Sequence, residues 1–383
     1  TLLDNMVTSF VRDNYDWDTR CNIVKSEEGW KEENWKQFAE LGLLGVPFDE
    51  AHGGLGGKSA DLMIVMEQFG KGLVVEPYLP TVILAGGLIS KLGSEEQKNS
   101  IIPEIISGNI RCAFAYAEPQ SRFDLNDVKT SAVLNGDDYV LNGFKSVVFG
   151  AGIASHLIIS ARTEGEQRSE SGITLFIVDT KSEGLTLQNY PTIDEYRASE
   201  VIIENLKVSK DNVLGKVNMA YDAIEEIVDI STIAACSEAV GILQVLKDST
   251  TEYCKNRKQF GQSIAKNQVI QHRLVDMMIE YEQAKSILYM AVTADLTNSD
   301  ERRKAVSAAK ARIGKAIKFV GESAIQLHGG MGVVDEYMVS HYFKRATMIG
   351  VLFGNTDYHM KRYMTLTQSG ISSSDEAISV SVT

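Results

Sequence analysis

From Tyr221 to Thr365 one pattern repeats four times: a long segment whose apolar residues recur every three or four positions. The first covers Tyr221 to Asn256, with Ile224, Ile227, Val228, Val240, Leu243 and Leu246 in register. The second runs from about Gln268 to Leu296 through Leu274, Met277, Met278, Tyr281, Ile287 and Leu288. The third covers about Glu301 to Leu327 and the fourth about Met338 to Thr365. This is the period of amphipathic helices. Long helices joined by short connections pack as an antiparallel four-helix bundle, whose core takes the methionine and aromatic stripes.

Ahead of these helices the period changes. Thr130–Leu134, Tyr139–Leu141 and Lys145–Val148 are short β-rich runs punctuated by Asn135-Gly136 and Asn142-Gly143, dipeptides that favour hairpin turns. His156–Ala161, Ile173–Val178, Leu185–Leu187 and Val201–Val208 continue the pattern, which predicts a small barrel or sandwich. The first hundred or so residues are helical again. A helix over Glu32–Leu44 is stopped by Gly45 and Pro47, and others cover Ala60–Gly70 and Tyr78–Leu92. Ser94 is an N-cap with Gln97 at the third helical position. The glycine-rich run from Gly53 to Gly57 lacks the spacing of a phosphate loop and is expected to be a turn. The expected fold is α+β: an N-terminal α-helical domain over 1–112, a middle β domain over 113–220 and a C-terminal four-helix bundle over 221–366. The serine-rich, aperiodic tail 367–383 is expected to be disordered.

A length of 383 residues exceeds what one hydrophobic core serves. The net charge of -13, with no basic stripe to reverse it, argues against nucleic acid as a partner. Cys21, Cys112, Cys236 and Cys254 have no paired spacing; they read as reduced thiols of a cytoplasmic protein, with no metal site. No apolar run reaches the ~18 residues of a membrane span.

Chemistry concentrates at the end of the first bundle helix. Arg257-Lys258-Gln259-Phe260-Gly261 places two cations, an aromatic ring and a glycine in five residues. Guanidinium for phosphate, a ring for stacking and a glycine for close backbone approach suit an anionic, planar ligand. A basic helix terminus answering the helix dipole is the alternative.

Six motifs in chain order resemble the acyl-CoA dehydrogenase family. Leu92-Gly93-Ser94-Glu95-Glu96-Gln97 with Pro103 is similar to its G-[ST]-x-x-Q-x(5)-P stretch. Ala117-Glu118-Pro119 resembles T-E-P, and Tyr139-x-Leu141-Asn142-Gly143-x-Lys145 resembles Y-x-[IL]-N-G-x-K. Leu206-x-Val208 ahead of Val213-Leu214-Gly215 resembles the strand leaving the β domain. Arg257 to Gly261 resembles R-x-x-F-G, and Gln326-Leu327-His328-Gly329-Gly330-Met331-Gly332 resembles Q-x-x-G-G-x-G. The resemblance implies the fold above, FAD as cofactor, an acyl-CoA thioester as substrate for α,β-desaturation, and electron-transferring flavoprotein as acceptor. It also implies that two of these segments reach a neighbouring subunit's FAD. Arg257 then serves the pyrophosphate, Phe260 the adenosine end, and Gln326 with the Gly329–Gly330 backbone the anionic middle. Gln268 stands where the family has another flavin-contacting glutamine.

Departures from the family pattern fall elsewhere. Its usual base, the Glu of I-Y-E-G-T, corresponds to Gly354 in Leu352-Phe353-Gly354-Asn355-Thr356. The alternative base position on the first bundle helix corresponds to Ser231, followed by Thr232. Neither side chain can abstract an α-proton; the nearest acids are Asp229, Glu225 and Glu226, with Asp229 the fallback candidate. Where the family offers its own flavin a threonine, a serine and W-I-[ST], this chain has Ala117, Phe123 and Val147-Val148-Phe149. Groups given to a neighbour's cofactor are present and those for the chain's own are absent. The resemblance therefore runs most closely to the small subunit of heteromeric α2β2 members acting on bulky or dicarboxylic CoA esters, pimeloyl-CoA or steroid-CoA types, beside a homologous catalytic subunit. A homo-oligomeric dehydrogenase with a displaced base, a flavin oxidase or monooxygenase of the same fold, and a non-catalytic assembly subunit are the alternatives. His328 and His359 are expected to be structural.

Overall fold

The computed structural model describes residues 2–294 and 296–379, with side chains described through residue 368. Packing divides the chain into two compact units, one of Thr1–Leu62 with Val74–Ser231 and one of Met63–Leu73 with Thr232–Thr383.

The first unit opens with α1 (Leu2–Asn14), α2 (Trp17–Lys25) and α3 (Glu32–Glu40). The third stops short of the expected Leu44 because Gly42 turns left-handed, with φ 73°. Glycine reaches that conformation without steric cost and so ends helices. α4 (Ser59–Gly72) follows in the chain but belongs from Met63 onward to the second unit; back in the first unit, the stretch expected as one helix divides into a π-helical turn, Leu79–Ala85, and α5 (Gly86–Leu92). α6 (Glu95–Ile106) begins with the expected capping box: Gln97 N–H donates to Ser94 Oγ at 3.2 Å, and Ser94 N–H donates to Gln97 Oε1 at 3.1 Å.

Eight strands follow: β1 (Cys112–Ala115), β2 (Ser131–Asn135), β3 (Asp138–Phe149), β4 (His156–Arg162), β5 (Ile173–Asp179), β6 (Leu185–Pro191), β7 (Arg197–Ser209) and β8 (Val213–Leu214). They form one sheet in the order β6-β7-β3-β2-β4-β5-β8, with β1 parallel to β4. Asn135-Gly136 makes the expected β2–β3 hairpin, with Gly136 at φ 66°. Asn142-Gly143 does not turn the chain. It lies inside the long β3 at a register shift against β7. A Cβ at Gly143 would stand 2.4 Å from Thr130 Oγ1, and Asn142 Oδ1 accepts the N–H of Asn205. The glycine serves a close approach here, within a bulge that bends the strand. Leu141, Leu157, Ile159, Phe176, Val201 and Leu206 fill the sheet's core. Beside it Lys145 Nζ donates to Glu118 Oε1 at 2.7 Å, both side chains essentially buried.

In the second unit α7 (Tyr221–Asn256), which enters from the first, has the expected limits. α8 (Gln268–Thr293) and α9 (Ser299–His328) follow. The expected fourth helix is two, α10 (Met338–Val351) and α11 (Thr356–Ser379), because Phe353 and Gly354 take φ 58° and 114° and break the i→i−4 ladder. The backbone of 367–379 continues α11, where the sequence predicts disorder, since helix hydrogen bonding itself requires no apolar period; residues 380–383 of that tail lie outside the described residues. Leu243, Met277, Val306, Ile317, Val320 and Ile349 are core residues of this unit. Arg345 donates to both oxygens of Glu238, at 2.6 and 2.8 Å, inside it. No helix among the described residues is long and apolar enough to cross a membrane.

Candidate functional site

α7 runs out at Asn256, and Arg257 N–H still donates to Tyr253 C=O at 2.8 Å. The chain then reverses through a minimal hairpin, β9 (Lys258–Gln259) against β10 (Gln262–Ser263). Its two turn residues, Phe260 and Gly261, have φ 52° and 79°. A two-residue hairpin of type I′ requires this pair of positive angles, which glycine and asparagine favour and phenylalanine resists. Phe260 is fully exposed at 101%. A large ring held in a strained turn and given wholly to solvent packs nothing of its own chain.

The base of the hairpin is pinned. Ser263 Oγ donates to Cys254 C=O at 2.9 Å, and Ile264 N–H donates to Arg257 C=O at 2.9 Å. A short 3-10 turn, Ile264–Lys266, leads into Gln268 at the start of α8. The end of α9 lies alongside: the His328 ring is 4.3 Å from that of Tyr253, and Tyr253 Oη donates to His328 C=O at 3.4 Å. His328 Nδ1 pairs with Ala324 C=O at 2.8 Å, and burial pushes its pKa down. This histidine is a neutral packing element between Tyr253 and Tyr337. Beyond it Gly329, at φ 59°, and Gly330 have nothing within 4 Å of where a Cβ would stand, so both peptides face open space. A depression of about 430 Å³ lies between the first turn of α8 and the last turn of α9, lined by Val269, Ile270, Arg273, Gln326 and Leu327.

The structure thus gathers Gln326 with the start of α8, where Gln268 stands, and sets Gly329 and Gly330 beside the root of the Arg257–Gly261 stretch. The side chains of Arg257, Gln268 and Gln326 have no hydrogen-bond or ion-pair partner among the described residues. Unspent donors, open glycine peptides and a displayed ring fit the diphosphate and aromatic parts of FAD. Arg273 was not legible as part of this group. Its i,i+4 relation to Val269 was the available signal, but the facing wall comes from α9.

The positions implied for a base are different. Gly354 opens no room for one: a Cβ there would lie 2.5 Å from Tyr358 Cδ1 and 2.6 Å from His359 Nε2. His359 is 1% exposed, and its Nε2–H donates to Phe353 C=O at 3.0 Å, leaving Nδ1 buried without a partner. Burial, then the positive charges of Lys310 and Arg362, push its pKa down to about 3. So weakly basic an imidazole cannot take an α-proton near neutral pH. Lys310 is buried too, donates to Ile349 C=O, and is lowered to about 8 by desolvation. Ser231 is fully buried with an unpartnered hydroxyl. Asp229 and Glu225 are buried and engaged, and Glu226 pairs with Lys91 at 2.8 Å.

In the first unit, Ala117 offers only its carbonyl, which accepts the N–H of Ser146 at 2.9 Å. Phe123 is half-buried after Arg122, which has φ 48°. Val147 is exposed at a β3 bulge with φ 53°. None of these side chains has a hydrogen-bonding group.

The bundle end presents cations without partners and exposed glycines, in a chain that also carries an eight-stranded sheet, a donor set whose chemistry suits an anionic ligand. Three family models match in order: the acyl-CoA dehydrogenase N-terminal domain over residues 1–109, its middle domain over 113–206 and its C-terminal domain over 221–364. The chain belongs to the acyl-CoA dehydrogenase family, oxidoreductases acting on CH–CH bonds with FAD as cofactor. It is 30% identical over 361 residues to the caffeyl-CoA reductase-Etf complex subunit CarC of Acetobacterium woodii, covering 92% of this chain and 95% of that one. The human mitochondrial short-chain specific acyl-CoA dehydrogenase is 31% identical over 327 residues, 84% of this chain and 79% of that protein. Among solved structures, a variant of the Tcur3481-Tcur3483 steroid ACAD superposes with a TM-score of 0.86 at 28% identity, covering 97% and 98% of the two chains.

Proposed function

We propose that this chain is the subunit of a heteromeric acyl-CoA dehydrogenase that lacks the catalytic base and completes the FAD site of a homologous catalytic partner, in an α2β2 assembly. The observation that carries the reading is the contrast between two places in the second unit. Arg257, Gln326 and the exposed Phe260 are unengaged, while the space at Gly354 is closed by Tyr358 and His359. The sequence divisions at residues 112, 220 and 366 are our working domain limits.

Bound FAD supplies the acceptor for the β-hydrogen. This chain's contribution would be to hold it: Arg257 would pair with the diphosphate, Gln326 and the Gly329–Gly330 peptides would donate to its oxygens, Gln268 would serve the flavin side and Phe260 the adenosine. The α-proton is taken by the partner. A relative named as a steroid ACAD supports a bulky acyl-CoA as substrate, and a relative named as part of an Etf complex supports electron-transferring flavoprotein as acceptor. A cytoplasmic location belongs to this reading.

The test is to purify the chain alone and with the homologous subunit co-expressed, and to read flavin absorbance and acyl-CoA turnover. The reading expects little flavin alone and about one FAD per pair together. Full flavin loading and turnover by the isolated chain would falsify it.

A further inference from the structure

We propose that His328 is a positioning residue: its neutral ring joins the root of the Arg257–Gly261 stretch to the Gly329–Gly330 turn, and its protonation in mild acid uncouples the two. The inference rests on the reading that these segments hold the partner's FAD, and it adds how they are held together and what loosens them.

Tyr253 stands four residues before Arg257, and its C=O accepts the Arg257 N–H that closes α7. Its ring lies 4.3 Å from that of His328, tilted by 31°, and its hydroxyl donates to the His328 C=O at 3.4 Å. That carbonyl belongs to the planar peptide joining His328 to Gly329, so the hydrogen bond sets the plane from which the glycine turn departs. On the other side the Tyr337 ring lies 5.3 Å from the imidazole. The turn folds back so closely that a Cβ at Gly332 would stand 3.2 Å from that of His328. The imidazole is a wall shared by both segments.

Its protonation state decides whether it can stay there. Nδ1–H donates to Ala324 C=O at 2.8 Å, so Nε2 carries the lone pair, buried and without a hydrogen-bond partner. A second proton must go on Nε2, placing a charge and an unanswered donor on a ring that is 2% exposed. The groups facing it are Tyr253 from α7, Gly332 from the turn and Tyr337 from the lead-in to α10. None of these carries a charge, and phenols do not titrate in acid. A buried charge with neither counter-ion nor acceptor is expelled to water rather than accommodated. Burial accordingly holds this imidazole below its ordinary pKa of 6.5. The ordered arrangement is fully present above pH 6.5 and is lost as pH falls through the lower folded value.

Hydrogen exchange of the isolated chain at about pH 7.5 and about pH 5, corrected for intrinsic amide rates, reads the coupling without flavin. On acidification, protection in residues 257–264 and 328–333 is expected to fall together, about tenfold more than in the α7 core around Leu243. His328→Phe keeps a ring between the two tyrosines and cannot titrate; it is expected to abolish the pH dependence. His328→Gln, which has no ring, is expected to leave both segments weakly protected at either pH. A pH dependence that persists in His328→Phe, or segments that respond independently, overturns the proposal. Residue-selective NMR of the unaltered chain tests it without any variant: the imidazole is expected to carry its proton on Nδ1 and to titrate below 6.5. The opposite tautomer, or a pKa at or above 6.5, overturns it. In the co-expressed pair, FAD is expected to dissociate about tenfold faster at the lower pH, and His328→Phe to slow that loss. A pair that holds FAD equally at both pH values overturns the proposal. A pair that holds none at either sinks the functional reading, and the exchange result then decides the coupling alone.

Discussion

His359 Nε2 stands 2.6 Å from where the Cβ of residue 354 would be, so the chain's own imidazole fills the space that a side chain at this position would take. Gly354→Glu must then adopt φ 114° with a side chain and displace a buried ring. A destabilisation of about 2–5 kcal/mol is expected by urea denaturation, from backbone strain and overpacking together. The variant is expected to gain no dehydrogenation when assayed alone with FAD and acyl-CoA. Adding His359→Ala should recover part of the lost stability; full stability in the single variant would contradict the closed geometry.

The same histidine sets an acid limit. Its folded pKa of about 3 lies below the ordinary 6.5, so between those values the unfolded chain binds a proton that the folded chain does not. Stability contributed by the neutral ring is present above pH 6.5 and lost as pH falls toward 3. Replacing it with leucine should flatten the acid limb of the stability curve by about 5 kcal/mol across that window. An unchanged difference between the two proteins at pH 7 and pH 4 would contradict it.

Glu118 and Lys145 are buried together in the sheet-bearing unit, with side-chain exposures of 2% and 0%. Glu118 also accepts from the backbone N–H groups of Lys129 and Thr130. Glu118→Gln should cost about 3–5 kcal/mol by leaving a buried ammonium uncompensated. The double change Glu118→Gln, Lys145→Met should cost less than the single one, measured by the same denaturation midpoints.

Phe260 separates stability from function. Its turn angle is one that asparagine holds with less strain. Phe260→Asn is expected to leave the chain as stable or to stabilise it by about 1 kcal/mol. In the co-expressed pair the same change is expected to weaken FAD retention, read by equilibrium dialysis of the flavin. A fall in stability would mean that the ring packs within its own chain.

Features determined by residues close together in the chain are legible in the amino-acid sequence alone. The limits of α7 follow from its apolar period, and the box at Ser94 and Gln97 follows from two residues three apart. Asn135-Gly136 turns, but Asn142-Gly143 does not, and the dipeptides differ by nothing local. The second owes its role to Thr130, which lies against Gly143 from another part of the chain. The break between α10 and α11 is hidden for a related reason, since the apolar period runs through Leu352 and Phe353 while the backbone does not. At the candidate site Arg257, Gln326 and the glycines can be picked out by type and spacing. The depression that includes Arg273 exists only once α8 and α9 are side by side.

The junction at 352–355 also bears on how such a chain changes over time. Placing an acid at residue 354 in one step meets Tyr358 and His359 already settled in the space, with the backbone turned to an angle that only glycine holds easily. An acid there needs Tyr358 and His359 to change as well. The neighbours act as a ratchet: with them packed there, a single replacement at residue 354 is not enough to seat a carboxylate.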